Sequence, residues 1–156
     1  MKVEEALEDP DWINAMHEEL HNFERNQVWT LVEKPNNNHN IIGTKWVFCN
    51  KQDEDGQVVR KKACLIAQDY TQVEGIDYGE KYAPVARLES IRILLSYANH
   101  HDITLYQMDI KSDFLNGEIE EEVYVKQPPG FVNPKKPNYV YKLHKALYGL
   151  KQAPRA

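Results

Sequence analysis

Leu105-Tyr106-Gln107-Met108-Asp109-Ile110-Lys111-Ser112-Asp113-Phe114-Leu115-Asn116-Gly117 is the stretch on which the reading of the fold turns. Thr104 to Met108 is expected to form a short β-strand: Thr104 and Tyr106 are β-formers and Leu105 is apolar. That strand closes on a carboxylate, Asp109, with the aromatic ring of Phe114 five residues further on. Hard divalent cations want rigidly placed oxygen ligands, and a strand-borne carboxylate can hold such an ion against a nucleotide phosphate. Taken alone, the spacing also fits a plain turn former or helix cap. The surrounding sequence separates these readings.

Upstream, Leu88 to about His100 has helical periodicity, with Ile91, Leu94, Leu95 and Ala98 on one face and Pro84 ahead of it. Further back, Lys45 to Asn50 and Val58 to Ala67 are two strand-like runs around Asp53-Glu54-Asp55-Gly56, whose Asp-Gly pair is a hairpin signal. Val28 to Val32 alternates like a strand, and residues 35–40 form a polar loop rich in Asn. An amphipathic helix is expected from Pro10, with Trp12, Ile13, Met16, Leu20 and Phe23 at helical spacing and Asp9 as its cap. Gly75-Ile76-Asp77-Tyr78 reads as a turn. Downstream, Val123 to Lys126 and Tyr139 to Leu143 read as paired strands around Pro128-Pro129-Gly130. Short connections of this kind predict an α+β fold, mainly antiparallel sheet with flanking helices.

With 156 residues the chain is long enough for one domain with a sizeable core. Hydrophobic residues make up 42% and charged residues 28%, an ordinary globular balance. A net charge of −5 supplies no global basic field for nucleic acid, so any phosphate binding must rest on local clusters such as Arg60-Lys61-Lys62. Cys49 and Cys64 have no CxxC or zinc-like spacing, and read as two buried thiols in a reducing compartment. No apolar run is long enough to span a bilayer, and Met1 to Asp9 lacks the apolar core of a signal peptide. The expectation is a soluble, intracellular protein without a membrane partner.

Several segments, in order, closely resemble the reverse transcriptase of copia-type long-terminal-repeat retrotransposons. They are Trp12 to Glu19, Trp29-Thr30-Leu31-Val32, Gly43 to Phe48, Gly75-Ile76-Asp77-Tyr78, Tyr82 to Arg87, Gln107-Met108-Asp109, Phe114-Leu115-Asn116-Gly117, Gln127 to Phe131 and Ala146 to Arg155. The resemblance implies a right-hand polymerase fold: fingers over about residues 1–100, and the start of an incomplete palm over about 101–156. It implies RNA-directed and DNA-directed DNA synthesis by two-metal nucleotidyl transfer with Mg2+. The partners would be an RNA or DNA template-primer and deoxynucleoside triphosphates, and the setting the cytoplasm or a virus-like particle. Asp109 matches the first catalytic carboxylate, a ligand of both metal ions, with the Ile110 carbonyl assisting one. Phe114 matches the aromatic steric gate against a ribose 2′-hydroxyl. Arg60, Lys61 and Lys62 fall on the strand that presents cations to the triphosphate, though alternation leaves open which of them does so. Gly149 matches a loop whose backbone approaches the new base pair, a role for which lack of a Cβ matters.

Departures from the pattern matter as much. Cys64 stands where the family usually has Arg, removing a guanidinium that sulfur cannot replace. Asp69 stands in place of Gly, and Asp113 in place of Ala beside the expected sugar pocket. Like charges 5 Å apart repel by roughly 3 kcal/mol at an effective dielectric near 20, so Asp113 is expected to weaken nucleotide binding. The family's second metal-binding motif, a Tyr-x-Asp-Asp hairpin, has no counterpart in these residues, nor does the thumb. The expectation is therefore a polymerase fragment inactive alone. The rival readings are a non-catalytic nucleic-acid or protein-binding module retaining the fingers fold, and a remnant without function.

Overall fold

The computed structural model describes residues 1–36, 39–83, 85–110 and 113–156, with the side chain of Asp113 also outside the description. Asn37 and Asn38 of the polar loop, Pro84, and Lys111 and Ser112 of the central stretch therefore lie outside the described residues.

The chain opens with a single helical turn, α1 (Val3–Ala6), and the longer α2 (Pro10–Arg25). Asp9 caps α2 as expected, accepting the Asp11 N–H at 2.9 Å, and Pro10 fills the first helical position, where no amide partner is needed. The buried face of α2 carries Trp12, Ala15, Met16 and Phe23. Its N-terminal half packs on a two-stranded hairpin, β3 (Thr44–Gln52) and β4 (Val58–Ala67), where Trp12 meets Phe48 edge-on at 5.1 Å. Its C-terminal half packs on a second, four-stranded sheet: Phe23 sits edge-on to Trp29 at 4.9 Å, and Trp29 stacks on Tyr141 at 4.0 Å. Aromatic burial of this kind ties one helix to both sheets.

The second sheet has the order β1-β6-β5-β2, from β1 (Trp29–Glu33), β2 (Ile41–Ile42), β5 (Tyr124–Val125) and β6 (Tyr139–Leu143). β1 and β5 both pair antiparallel with β6, while β2 pairs parallel with β5. The expected strands around Pro128-Pro129-Gly130 thus do pair. Buried Gln127 organises their loop: its amide donates to the Lys136 and Tyr139 carbonyls at 2.9 Å and accepts the Asn133 N–H at 2.8 Å. In the hairpin turn, Asp53 accepts the amides of Asp55 and Gln57, and Gly56 takes φ +79°, as an Asp-Gly turn requires.

Two expectations are corrected. Thr104 to Met108 is not a strand; residues 103–110 run without strand pairing among the described elements. β-propensity needs a neighbour to bond to, and no strand of either sheet pairs with this segment. The thiols are not both buried either: Cys49 is exposed and Cys64 half-buried, because both lie on the face of the hairpin opposite the one that carries Trp46, Phe48, Ala63 and Leu65.

Helix α3 (Leu88–His100) forms where the periodicity predicts it, yet of its residues only Ala98 is buried. Ile91, Leu94 and Leu95 are exposed, and Met108 on the following segment is 86% exposed. So much apolar surface marks a face built to be covered. Elements without tertiary cover open locally at little cost. Amides of residues 88–110 are therefore expected to exchange with deuterium at least about 100-fold faster than those of α2 and β4. Equal protection of α3 and α2 in hydrogen-exchange mass spectrometry would show that the face is covered after all.

Candidate functional site

Cross-strand register decides which cations of the hairpin can act together. Residues directly opposite in an antiparallel pair share a face, and the pairs Lys51↔Arg60, Cys49↔Lys62 and Val47↔Cys64 put Lys51, Arg60, Lys62 and Cys64 on one face. The opposite face carries Phe48, Ala63, Trp46 and Leu65 against α2, and Lys61 belongs to it. The basic run is thus split. Lys61 donates to Asp9 at 2.5 Å and to Asp11 at 3.2 Å, and sits 5.5 Å over the Trp12 ring. Its hydrogen bond with Asp9 raises the ammonium pKa and lowers that of the Asp9 carboxyl. Arg60 pairs with Glu18, at 2.8 Å between two exposed side chains, a contact that is cheap to exchange.

Arg60, Lys62 and Lys51 line an open cleft of about 1110 Å³ whose other walls include α2, Asp109, Ile110 and Tyr148. Asp109 and Ile110 are exposed into solvent at this cleft. Among the described residues, Glu18, Glu19, Glu24 and Asp109 line it against Arg25, Lys51, Arg60 and Lys62, so it carries charge of both signs rather than a simple basic field. Glu19 is the most enclosed of the acids. Burial raises its pKa, and its carboxylate accepts the Leu65 N–H at the open edge of β4. Burial, then the Glu19 charge, likewise raises the pKa of Cys64, which is thereby kept a thiol where a guanidinium would have added a cation to the same face.

Phe114 lies in the short 3-10 turn Asp113–Asn116, half-buried, with its ring edge-on to Tyr148 at 4.4 Å and 68°. Tyr148 is 52% exposed and reaches the cleft, while its carbonyl accepts the Ala67 N–H at 2.7 Å. That hydrogen bond anchors the loop to the end of β4. Gly149 follows with φ +89°, and a Cβ there would lie 2.3 Å from the Ala67 carbonyl oxygen. The close approach for which Gly149 is needed is, in this structure, to β4.

Sequence reasoning missed Tyr148 and Lys51. Lys51 could have been found by pairing the hairpin outward from its Asp-Gly turn, which sets it opposite Arg60. It also missed a buried polar cluster behind the site. Gln72 donates to Gln152, Gln152 donates to the Asp77 carbonyl, and the Asp77 carboxylate accepts from Val73 N–H and Asn40. These bonds fix the Gly75-Ile76-Asp77-Tyr78 turn against residues 147–156, which explains its Asp as structural. A second cleft of about 890 Å³ lies between residues 118–122 and 142–145, and its charged lining is mostly carboxylate; Lys142 donates to Glu122 at 2.6 Å and lowers that carboxyl's pKa. Among the described residues no three His, Cys, Asp or Glu side chains gather as a metal cluster. No helix among them is long and apolar enough to cross a membrane.

A family model described as reverse transcriptase (RNA-dependent DNA polymerase) matches residues 26–156. The chain is 45% identical over 152 residues to the retrovirus-related Pol polyprotein from transposon RE1 of Arabidopsis thaliana, covering 97% of this chain and 10% of the polyprotein. It is 42% identical over 156 residues to the corresponding polyprotein from transposon TNT 1-94 of Nicotiana tabacum, covering 98% of this chain and 12% of that one. An uncharacterized mitochondrial protein of Arabidopsis thaliana is 46% identical over 98 residues, 63% of this chain and 57% of its own length. The chain thus spans about a tenth of the length of the Pol polyproteins it matches. No solved structure matches it.

Proposed function

The chain belongs to the reverse transcriptase (RNA-dependent DNA polymerase) family, as a copia-type retrotransposon segment, and from that premise we propose that its cleft is the nucleotide site of a polymerase. In this reading residues 1–100 are the fingers and 101–156 begin the palm of a right-hand fold. The observation that carries it is the meeting, on the walls of one cleft, of Asp109 with the cations Arg60 and Lys62 from a hairpin far away in sequence. A triphosphate needs both partners: a carboxylate for its metal ion and cations for its phosphates.

Each side chain then has a task. The Asp109 carboxylate and Ile110 carbonyl are hard oxygen donors that suit Mg2+, which would polarise the phosphate and activate the primer 3′-hydroxyl. One carboxylate is half a site, and among the described residues no three His, Cys, Asp or Glu side chains gather to complete it. Lys62 and Arg60 take the triphosphate, Arg60 by exchanging Glu18 for phosphate. Lys61 plays no part in that binding, since two carboxylates and an indole face already hold it. Phe114 is the sugar gate, with the Tyr148 ring bracing it from the side. The substrates would be deoxynucleoside triphosphates on an RNA or DNA template-primer.

The test joins this chain to the downstream palm and thumb of a related active element. Phe114→Val is expected to raise ribonucleotide incorporation by roughly tenfold or more while deoxynucleotide incorporation persists, because the clash with the 2′-hydroxyl is removed. Asp113→Ala is expected to lower the KM for deoxynucleotides by roughly tenfold, the repulsion being partly offset by metal, and to do so more than Asp69→Gly. Unchanged sugar discrimination in Phe114→Val would sink the assignment of the cleft.

A further inference from the structure

Helix α2 carries His17-Glu18-Glu19-Leu20-His21, a histidine pair one helical turn apart. Side chains four residues apart on a helix stand one above the other on the same face. The backbone beneath them is held firmly, by the Asp9 cap at one end and by Trp12, Met16 and Phe23 in the core. Both imidazoles are exposed, with ring centroids 6.1 Å apart and planes tilted by 31°. His17 is steadied further by an edge-on contact with Phe131 at 5.1 Å. Ring nitrogens bind zinc at about 2.0–2.1 Å, so two imidazoles on one tetrahedral ion have centroids roughly 5–5.5 Å apart. The observed 6.1 Å is somewhat wider, and rotation of the two exposed side chains toward each other is what brings both nitrogens onto one ion.

We propose that His17 and His21 form a binding site for a borderline transition-metal cation, Zn2+ or Cu2+, with water completing the coordination. Imidazole selects such ions, whereas Mg2+ prefers oxygen donors, so this site is distinct from the one at Asp109. The spacing His-Glu-x-x-His also occurs in zinc hydrolases, where the Glu is the general base and a third protein ligand completes the metal. Neither condition holds here. Glu18 is drawn to Arg60 at 2.8 Å, and no third donor joins the pair among the described residues. The site therefore binds metal without hydrolytic chemistry, as a staple across two turns of the helix that forms one wall of the cleft.

Calorimetric titration of the 156-residue chain with zinc chloride in a non-chelating buffer tests this. One saturable site is expected, weakened at least about 100-fold by His17→Gln or His21→Gln, beyond the roughly 10–100-fold that losing an outer-shell partner costs. Gln keeps helix propensity, and an unchanged circular dichroism spectrum confirms that α2 persists. The Cys49→Ser/Cys64→Ser and His100→Gln/His101→Gln double variants are expected to bind zinc as the parent does, and magnesium chloride to give no heat at this site. Unchanged zinc binding in both single variants would overturn the proposal, as would loss of binding only in the cysteine or His100/His101 variants.

Discussion

Gly149→Ala is expected to cost about 3 kcal/mol or more, the largest loss among Gly→Ala changes in this chain. Two penalties combine there. The backbone sits at φ +89°, where an L side chain is strained by roughly 1 kcal/mol. The new Cβ would also stand 2.3 Å from the Ala67 carbonyl oxygen, a backbone atom of β4 that cannot rotate away. Relief would require the loop to lift, breaking the 2.7 Å hydrogen bond from Ala67 N–H to the Tyr148 carbonyl and withdrawing Tyr148 from Phe114. Gly56→Ala separates the penalties, since Gly56 has φ +79° but nothing within 4 Å of its missing Cβ. It should cost only about 1 kcal/mol. Urea midpoints of the two variants give the comparison, and equal losses would show that contact with β4 is not what demands glycine at 149.

The same pair of glycines shows what could be read in advance. Gly56 was legible because an Asp-Gly turn is local chemistry, and so were α2 and α3, whose side chains repeat at helical spacing. Gly149 was legible as a tight place but not as a contact with β4, because that contact joins residues 82 positions apart. The error at Thr104 to Met108 has the same root. Alternating β-formers describe a willingness to pair, while a strand exists only once a neighbour presents its own backbone. Ile41-Ile42, paired parallel to Tyr124-Val125 over two residues, is the converse case: too short to signal itself, and settled by its partner. In the site, the residue types at Asp109 and Phe114 were readable from the chain. The division of Arg60 and Lys62 from Lys61 needed the register, and Tyr148 needed the loop's path. The family resemblance named the candidates, and long-range pairing decides which of them share a cleft.

Asp109→Ala, in a polymerase completed with downstream palm and thumb, is expected to lower kcat by roughly 1,000-fold or more, since in the proposed site the metal-borne charge stabilisation of phosphoryl transfer would depend on this carboxylate. Nucleotide affinity should fall far less, because Arg60 and Lys62, the cations proposed to bind the triphosphate, still line the cleft. Asp77→Asn supplies the contrast. That carboxylate is 3% exposed and accepts the Val73 N–H at 2.7 Å and the Asn40 amide at 2.9 Å, so its loss should lower stability and leave kcat of the folded enzyme intact. The 156-residue chain alone should show no primer extension with magnesium or manganese above its own Asp109→Ala background, because one exposed carboxylate cannot hold two ions in line with a primer hydroxyl. Extension by the chain alone that Asp109→Ala abolishes would mean that its other carboxylates complete the site, and Glu18, Glu19 and Glu24 on the α2 wall would be the first to replace.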